Sequence, residues 1–307
     1  MIRVSKPGFL TTVQDLGRHG YAHLGISPAG AADPLSFRIA NLLAGNQENT
    51  PALEMTLLGA TLEFEESAVV AITGADCGCK LDADPVPHNA AIEVRPGAAL
   101  QCGSIRDGAR CYVAVQGGID VPRVMGSAST FIAAHFGGFH GRRLQAGDIL
   151  PVGERARLRC RSLPTGALDR LHRPASLRVT RGAQQDWFAP ETVKTMLSST
   201  YTVTDQSDRS GLRLKGETLL PRDQSELLTD GIPLGAIQVP QNGQPIILFV
   251  DQQTTGGYPK IANVIAADMH RVGQLRPHDD VRFAEVDIAA AVQALREQEQ
   301  WLKDIFQ

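Results

Sequence analysis

Residues 246–260 read Ile246-Ile-Leu-Phe-Val250 and then Asp251-Gln-Gln-Thr-Thr-Gly-Gly-Tyr-Pro-Lys260. The first five are strand formers, and a short apolar run of this kind suits a buried strand. The next ten carry almost no filler. A strand therefore delivers a carboxylate, amides, hydroxyls, a phenol and an ammonium to one rim. Gly256-Gly257 lets the backbone turn sharply or approach a ligand closely, and Pro259 fixes the chain before Lys260. Two readings stand side by side, a solvated hairpin turn and a binding rim, because loops carry function on rigid scaffolds but are polar in any case.

Working outward, Asn242-Gly243 is a hairpin signal, and Pro245 suits a strand start, where a missing N–H is tolerated. Asp107-Gly108 is a second hairpin signal. Val69–Thr73, Cys111–Val115 and Leu177–Thr180 are further strand candidates. With 30 Gly and 18 Pro between such short runs, the chain reads as mainly β with a few short helices. Asp33 caps a helix with Pro34 at its first position, apolar Leu35, Ile39, Leu42 and Leu43, and Gly45 as terminator. Ala189–Leu197 and Ala262–Leu275 are weaker helical patterns. From Asp287 onward, Ile288, Val292, Leu295, Leu302 and Phe306 fall near helical spacing. Tyr112–Gly118 echoes Leu248–Gly257, as two similar β-domains would produce. Ser162–Gly166 and His172–Ser176 read as a linker near residues 162–175.

The chain has 307 residues, long enough for two domains each with its own core. It is 43% hydrophobic with a net charge of −3, from 30 Lys+Arg against 33 Asp+Glu. No basic stripe points to nucleic acid; Arg155–Arg161 is arginine-rich but falls at the expected linker. No secretory leader is legible at the N-terminus, and no apolar run approaches membrane-helix length. Five cysteines, an odd number, suit reduced thiols and a cytoplasmic setting.

No P-loop pattern is present. Cys77-Gly-Cys79 with His88 and Cys102 has Cys-x-Cys spacing, but no second pair completes a tetrahedral set, so buried small thiols are expected and no metal is assigned. His135 and His140 bracket Gly137-Gly138 in what reads as a surface loop. In Gln14-Asp15-Leu-Gly-Arg18-His19, Asp15 either orients Arg18 toward an anion or staples a turn.

Several of these stretches together resemble one family. Asn242–Ile247, Asp251–Ile261 and Ala266–Met269 look like the signature of the allophanate hydrolase subunit 2 family, also described as biotin-dependent carboxyltransferase-like. Thr11–Gly20, Gly25–Asp33, Arg38–Asn46, Ala52–Thr56, Gly117–Pro122 and Met125–Ser127 continue the match in order. Ser207-Asp-Arg-Ser-Gly-Leu-Arg213 keeps the family's Ser207, Arg209, Gly211 and Arg213, but has Ser210 and Leu212 where Met and Tyr are usual.

The resemblance implies two tandem cyclophilin-like β-barrels, an N-terminal domain over 1–165 and a C-terminal domain over 175–307 with a terminal helix. It implies one component of an ATP-dependent 5-oxoprolinase complex, a lactam hydrolase that opens 5-oxoproline to L-glutamate. ATP, with Mg²⁺, would be a co-substrate of the complex. The partners implied are the B subunit of 5-oxoprolinase, itself like allophanate hydrolase subunit 1, and the A subunit of the same enzyme. No Ala-Met-Lys-Met motif is present, so no covalent biotin is expected on this chain. Phosphorylating the lactam oxygen makes it an electrophile, and catalysis then rests on cations and donors around the developing charge. On that reading Asp251, Lys260 and Arg209 are the catalytic candidates. Gln253, Thr254, Thr255, Gly256, Gly257, Tyr258 and Arg18 are the substrate-binding ones. Two alternatives stay open: a carboxyltransferase-like subunit that works on urea or a related amide with a separate biotin carrier, and a regulatory protein that binds a kinase inhibitor.

Overall fold

The computed structural model describes residues 1–154, 163, 167, 176–222 and 227–306. The chain is mainly β, as the sequence leads one to expect. It divides into two compact units. One takes residues 1–18 and the described residues from 29 to 154, with the last residues of the chain; the other takes 19–28 and 176–304. The expected linker over 162–175 lies, apart from Leu163 and Ala167, outside the described residues, as does the Arg155–Arg161 segment.

The first unit carries two sheets. One runs in the order Ile149–Leu150, Ile2–Lys6, Thr61–Phe64, Ala99–Gln101, Lys80–Leu81 and Asp84–Pro85. The other runs Leu10–Gln14, Ala52–Thr56, Arg110–Val115, Ala68–Gly74 and Ala90–Val94. Their shared core includes Val4, Val13, Leu53, Leu62, Val70, Ile72, Leu100 and Val113, all fully buried. Helix α1 (Pro34–Leu43) lies against Ala68–Gly74 and Arg110–Val115. Its start is as the sequence predicts: Asp33 accepts a 2.9 Å bond from the Ser36 amide, with Pro34 in the first turn.

The second unit is built on an eight-stranded sheet. Its order is Asp280–Val281, Tyr201–Val203, Gly211–Lys215, Ile246–Leu248, Ala236–Gln238, Lys260–Val264, Leu177–Arg181 and Phe283–Glu285. The first and last strands in that order are separated in sequence only by Arg282, so the sheet curls nearly shut. Helices α2 (Pro190–Ser198), α3 (Met269–Val272) and α4 (Ile288–Asp304) complete it.

Three sequence expectations change. Asp107-Gly108 joins strands of different sheets and makes no hairpin, whereas Asn242-Gly243 does join the paired strands Ala236–Gln238 and Ile246–Leu248. The helical pattern over Ala262–Leu275 shortens to a 3-10 turn at Ala266–Asp268 that runs into α3, because Lys260–Val264 is drawn into the sheet between two neighbours. In α4, Leu302 is buried but Ile288 and Val292 are exposed, so only the C-terminal part of the expected apolar stripe is covered.

Candidate functional site

Alternation along three neighbouring strands sets the site. Leu212, Leu214, Ile237 and Ile247 point into the core of the second unit. Cross-strand partners share a face, and the register pairs Gly211 with Leu248, Arg213 with Ile246, and Gln238 with Ile246. That opposite face carries a small apolar cluster of Ile232, Ala236, Ile246 and Leu248. Over it lies a cavity of about 920 Å³, lined by Ile246 and Leu248 together with Arg213, Lys215, Gln238, Asn242, Gln244, Gln253 and Tyr258. An apolar patch ringed by amides and two cations suits a small polar anion.

The stretch 251–260 frames this face. Gln253 and Tyr258 line the cavity themselves. Thr255–Gly256 pairs as a short antiparallel ladder with Asp230–Gly231, and the Thr254 carbonyl accepts a 3.0 Å bond from the Ile232 amide. Neither Gly256 nor Gly257 lies in the left-handed region, so the tight turn expected of the pair is not how they are used. Close approach is, for one of them. A Cβ on Gly256 would stand 2.8 Å from Ile232 Cδ1 and 3.2 Å from Gln238 Nε2, beside the cavity lining. Gly257 is exposed and, among the described residues, meets only the Leu227 carbonyl, at 3.1 Å from such a Cβ.

Both cations assigned as catalytic from the sequence are tied to carboxylates. Arg209 donates from Nε to Asp251 Oδ2 at 2.8 Å and from Nη2 to Oδ1 at 3.2 Å, a two-pronged pair with both side chains buried. The Asp251 amide also donates to the Arg209 carbonyl at 2.9 Å. This pair sits in sequence next to Asp208 and Ser210, which line the cavity. Lys260 extends from its strand, at a bulge opposite Gln238, and donates from Nζ to Asp230 Oδ2 at 2.9 Å. The Lys260 bond, followed by the Gly231 amide, holds the Asp230 carboxyl below its usual range.

An N-terminal motif takes part as well. Ser27, within Gly25–Asp33, donates from Oγ to the Val250 carbonyl at 2.8 Å, immediately before Asp251. Arg18 belongs to the first unit. There it is buried, donates from Nη2 to the Ser129 carbonyl, and lies 4.8 Å from the centre of the Phe136 ring. Asp15 is buried too, and its carboxylate accepts from Gly17 N, Ser127 Oγ, Ala128 N and Ser129 Oγ. Gly17 closes the motif's own turn on Asp15, and the other three donors tie that turn to residues 127–129.

Of the residues proposed from the sequence, the structure places Gln253 and Tyr258 at the cavity and Gly256 beside its wall, with Asp251, Arg209 and Lys260 in the same unit and Arg18 in the other. Lys215, Gln238, Asn242 and Gln244 do not stand out in the sequence as binding residues, although the Gly211-Leu-Arg-Leu-Lys215 alternation signals that Arg213 and Lys215 share a polar face.

Residues 24–285 match the family model described as "Carboxyltransferase domain, subdomain A and B". The chain is 40% identical over 305 residues to the C subunit of the Escherichia coli 5-oxoprolinase, covering 99% of this chain and 97% of that protein. It is 38% identical over 299 residues to the Haemophilus influenzae protein of the same name, covering 96% and 94%. The crystal structure of Kluyveromyces lactis urea amidolyase superposes with a TM-score of 0.94 at 32% identity, over 100% of this chain and 20% of that one. A fold of two β units, a matched span that includes the whole 251–260 rim, and end-to-end similarity to two bacterial proteins agree. The chain belongs to the carboxyltransferase domain family, subdomains A and B.

Proposed function

We propose that this chain is one component of an ATP-dependent 5-oxoprolinase complex that opens 5-oxoproline to L-glutamate, working with the A and B subunits of that enzyme. The observation that carries this is the end-to-end match to two proteins named as the C subunit of 5-oxoprolinase, against a match to only a fifth of the urea amidolyase chain. The cavity supports it chemically. 5-Oxoproline offers a carboxylate and a lactam with one N–H and one C=O. Arg213 and Lys215 suit the carboxylate, and the side-chain amides of Gln238, Gln244 and Gln253 can both donate to and accept from a lactam. Gln238 Nε2 donates to the Tyr258 carbonyl at 3.4 Å, which links the rim stretch to the cavity wall.

In this reading Arg209 and Asp251 fix the start of the rim, and Lys260 supplies positive charge that Asp230 holds in place. Donors and cations set in advance around developing negative charge are the main catalytic resource such a site has. With no P-loop pattern in the chain, ATP chemistry is assigned to the assembled complex. The test is co-expression with candidate A and B subunits, followed by assay of glutamate release from 5-oxoproline with ATP. The complex should turn over, this chain alone should not, and Arg213→Ala with Lys215→Ala should raise KM for 5-oxoproline. Turnover of urea with a biotin carrier, and none of 5-oxoproline, would overturn the proposal in favour of the carboxyltransferase reading.

A further inference from the structure

The first unit holds a group of thiols that the proposed function leaves unused. Cys77, Cys79, Cys102 and Cys111 all lie in its core, each less than a tenth exposed. Their sulfurs meet: Cys77 to Cys79 at 3.3 Å, Cys79 to Cys102 at 3.2 Å and Cys77 to Cys111 at 3.5 Å. The Sγ atoms of Cys77, Cys79 and Cys102 all fall within 4.8 Å of one another.

Three separate segments supply them. Cys77 and Cys79 flank Gly78 in the turn after Ala68–Gly74; Gly78 adopts φ +58, and its amide donates to Asp76 Oδ1 at 2.8 Å. Cys102 follows Ala99–Gln101, where Gly59 lies so close that a Cβ on it would stand 2.3 Å from Cys102 Cβ. Cys111 is on Arg110–Val115. The sequence shows one Cys-x-Cys and no second pair; the fold supplies the missing partners from strands far along the chain.

We propose that Cys77, Cys79 and Cys102 form a buried thiolate site for zinc, with Cys111 within reach of Cys77 as the fourth sulfur. Sulfurs bound to zinc at about 2.3 Å in a tetrahedron lie about 3.8 Å apart. The Cys77–Cys79 and Cys79–Cys102 separations need to open by about half an ångström, while Cys111, which meets Cys77 but lies outside the group of three, has to move toward the other two sulfurs. Thiolates without carboxylates or other oxygen ligands select a soft or borderline ion over magnesium or calcium. His88 does not join the ligand set, because neither ring nitrogen falls within 4.8 Å of all three sulfurs; its Nε2 meets the Gly74 carbonyl at 2.8 Å. A closed, buried sulfur site of this type is structural. It would tie the Cys77–Cys79 turn to strand ends from both sheets of the unit.

The test uses the whole chain, purified without a metal-binding tag. Zinc measured by plasma mass spectrometry should be equimolar with protein, and removing it with a strong chelator should lower the melting temperature. Cobalt added to the stripped protein should give the charge-transfer and visible bands of tetrahedral thiolate cobalt, a readout that needs no variant to fold. Cys79→Ala and Cys102→Ala should each weaken zinc binding by at least ~10-fold, since disturbing even an outer partner of a metal ligand has that effect. Stripped protein that takes up neither zinc nor cobalt overturns the proposal and leaves a thiol-rich patch of core. So does zinc bound undiminished in both folded variants, or isolation of the native protein with copper or disulfides at these positions.

Discussion

Two ion pairs flank the same ten residues and differ in kind. Arg209 and Asp251 meet through two hydrogen bonds, with side chains only 7% and 8% exposed. Lys260 and Asp230 meet through one, with the lysine 3% exposed and the aspartate 53%. A two-pronged pair shut away from water has one geometry, and losing half of it strands a buried charge. A single bond to a carboxylate that faces solvent is weak and readily exchanged. The Asp251 carboxylate is therefore locked at the start of the rim, whereas at its end the sheet holds the Lys260 backbone and only a tether holds its ammonium. From sequence alone Arg209 and Lys260 look like equivalent catalytic cations. The structure separates a residue that sets the shape of the rim from one whose charge can be redirected.

The contrast breaks most sharply on the buried side. Arg209→Met removes the guanidinium from both Asp251 oxygens and should cost about 3–5 kcal/mol in urea denaturation. Arg209→Met with Asp251→Leu should recover much of that, because no charge is then left behind. A single-variant cost below about 1 kcal/mol would mean that the pair is no firmer than a surface bridge.

Lys260→Met comes next. It keeps most of the buried stem and deletes the ammonium. Turnover of the assembled complex should fall by ~10² or more, the scale of removing one preorganised electrostatic contact. The denaturation midpoint should stay near that of the parent. Full turnover with a lowered midpoint would make Lys260 a structural staple like Arg209 and would remove the distinction.

The legible parts of the sequence are those where local chemistry and tertiary demand agree. Asp33-Pro34 starts a helix because cap and first turn need only each other. The run at Ile246 forms a strand because it is apolar and follows a hairpin signal, although pairing ends at Leu248. Ala262–Leu275 misleads because short apolar runs fit either period, and pairing on both sides of Lys260–Val264 decides for strand. The echo between Tyr112–Gly118 and Leu248–Gly257 fails at its glycines. Gly117 and Gly118 take φ +94 and +75, whereas Gly256 pairs in a ladder outside the left-handed region. The rim residues are legible because they are contiguous. Gln238 is not, because only cross-strand register places it under Gly256. The thiol cluster is half legible for the same reason: Cys77 and Cys79 are neighbours, while Cys102 and Cys111 arrive through the fold.

The two glycines give a smaller test of how closely the rim lies on the cavity wall. Gly256→Ala should cost about 0.5–1.5 kcal/mol, the scale of forcing a neighbouring side chain off its rotamer, since both Ile232 Cδ1 and Gln238 Nε2 are ends of movable side chains. It should also raise KM in the complex by displacing Gln238. Gly257→Ala should stay within about 0.5 kcal/mol, as an exposed substitution does, and leave KM alone. Equal effects at the two positions would show that the rim does not lean on Gln238.

The smallest expected effect is the titration of Asp230, and it bears directly on the tether. Lys260 lowers the folded-state pKa of Asp230. A depressed carboxyl pKa adds stability above the unfolded value, ~3.9 for aspartate. That contribution is lost as pH falls through the lower folded value. Acid should therefore release Lys260 from Asp230. Carboxyl-carbon NMR should place the Asp230 midpoint below the ordinary aspartate value in the parent protein and raise it toward that value in Lys260→Met, where the Gly231 amide still lowers it. Asp230→Asn should leave the Arg209-dependent stability intact. An Asp230 midpoint that is ordinary in the parent and unmoved by Lys260→Met would mean that the tether does not form in solution. Lys260 would then present its charge to the rim unheld, and the difference between the two ends of the stretch would be larger than the structure draws it.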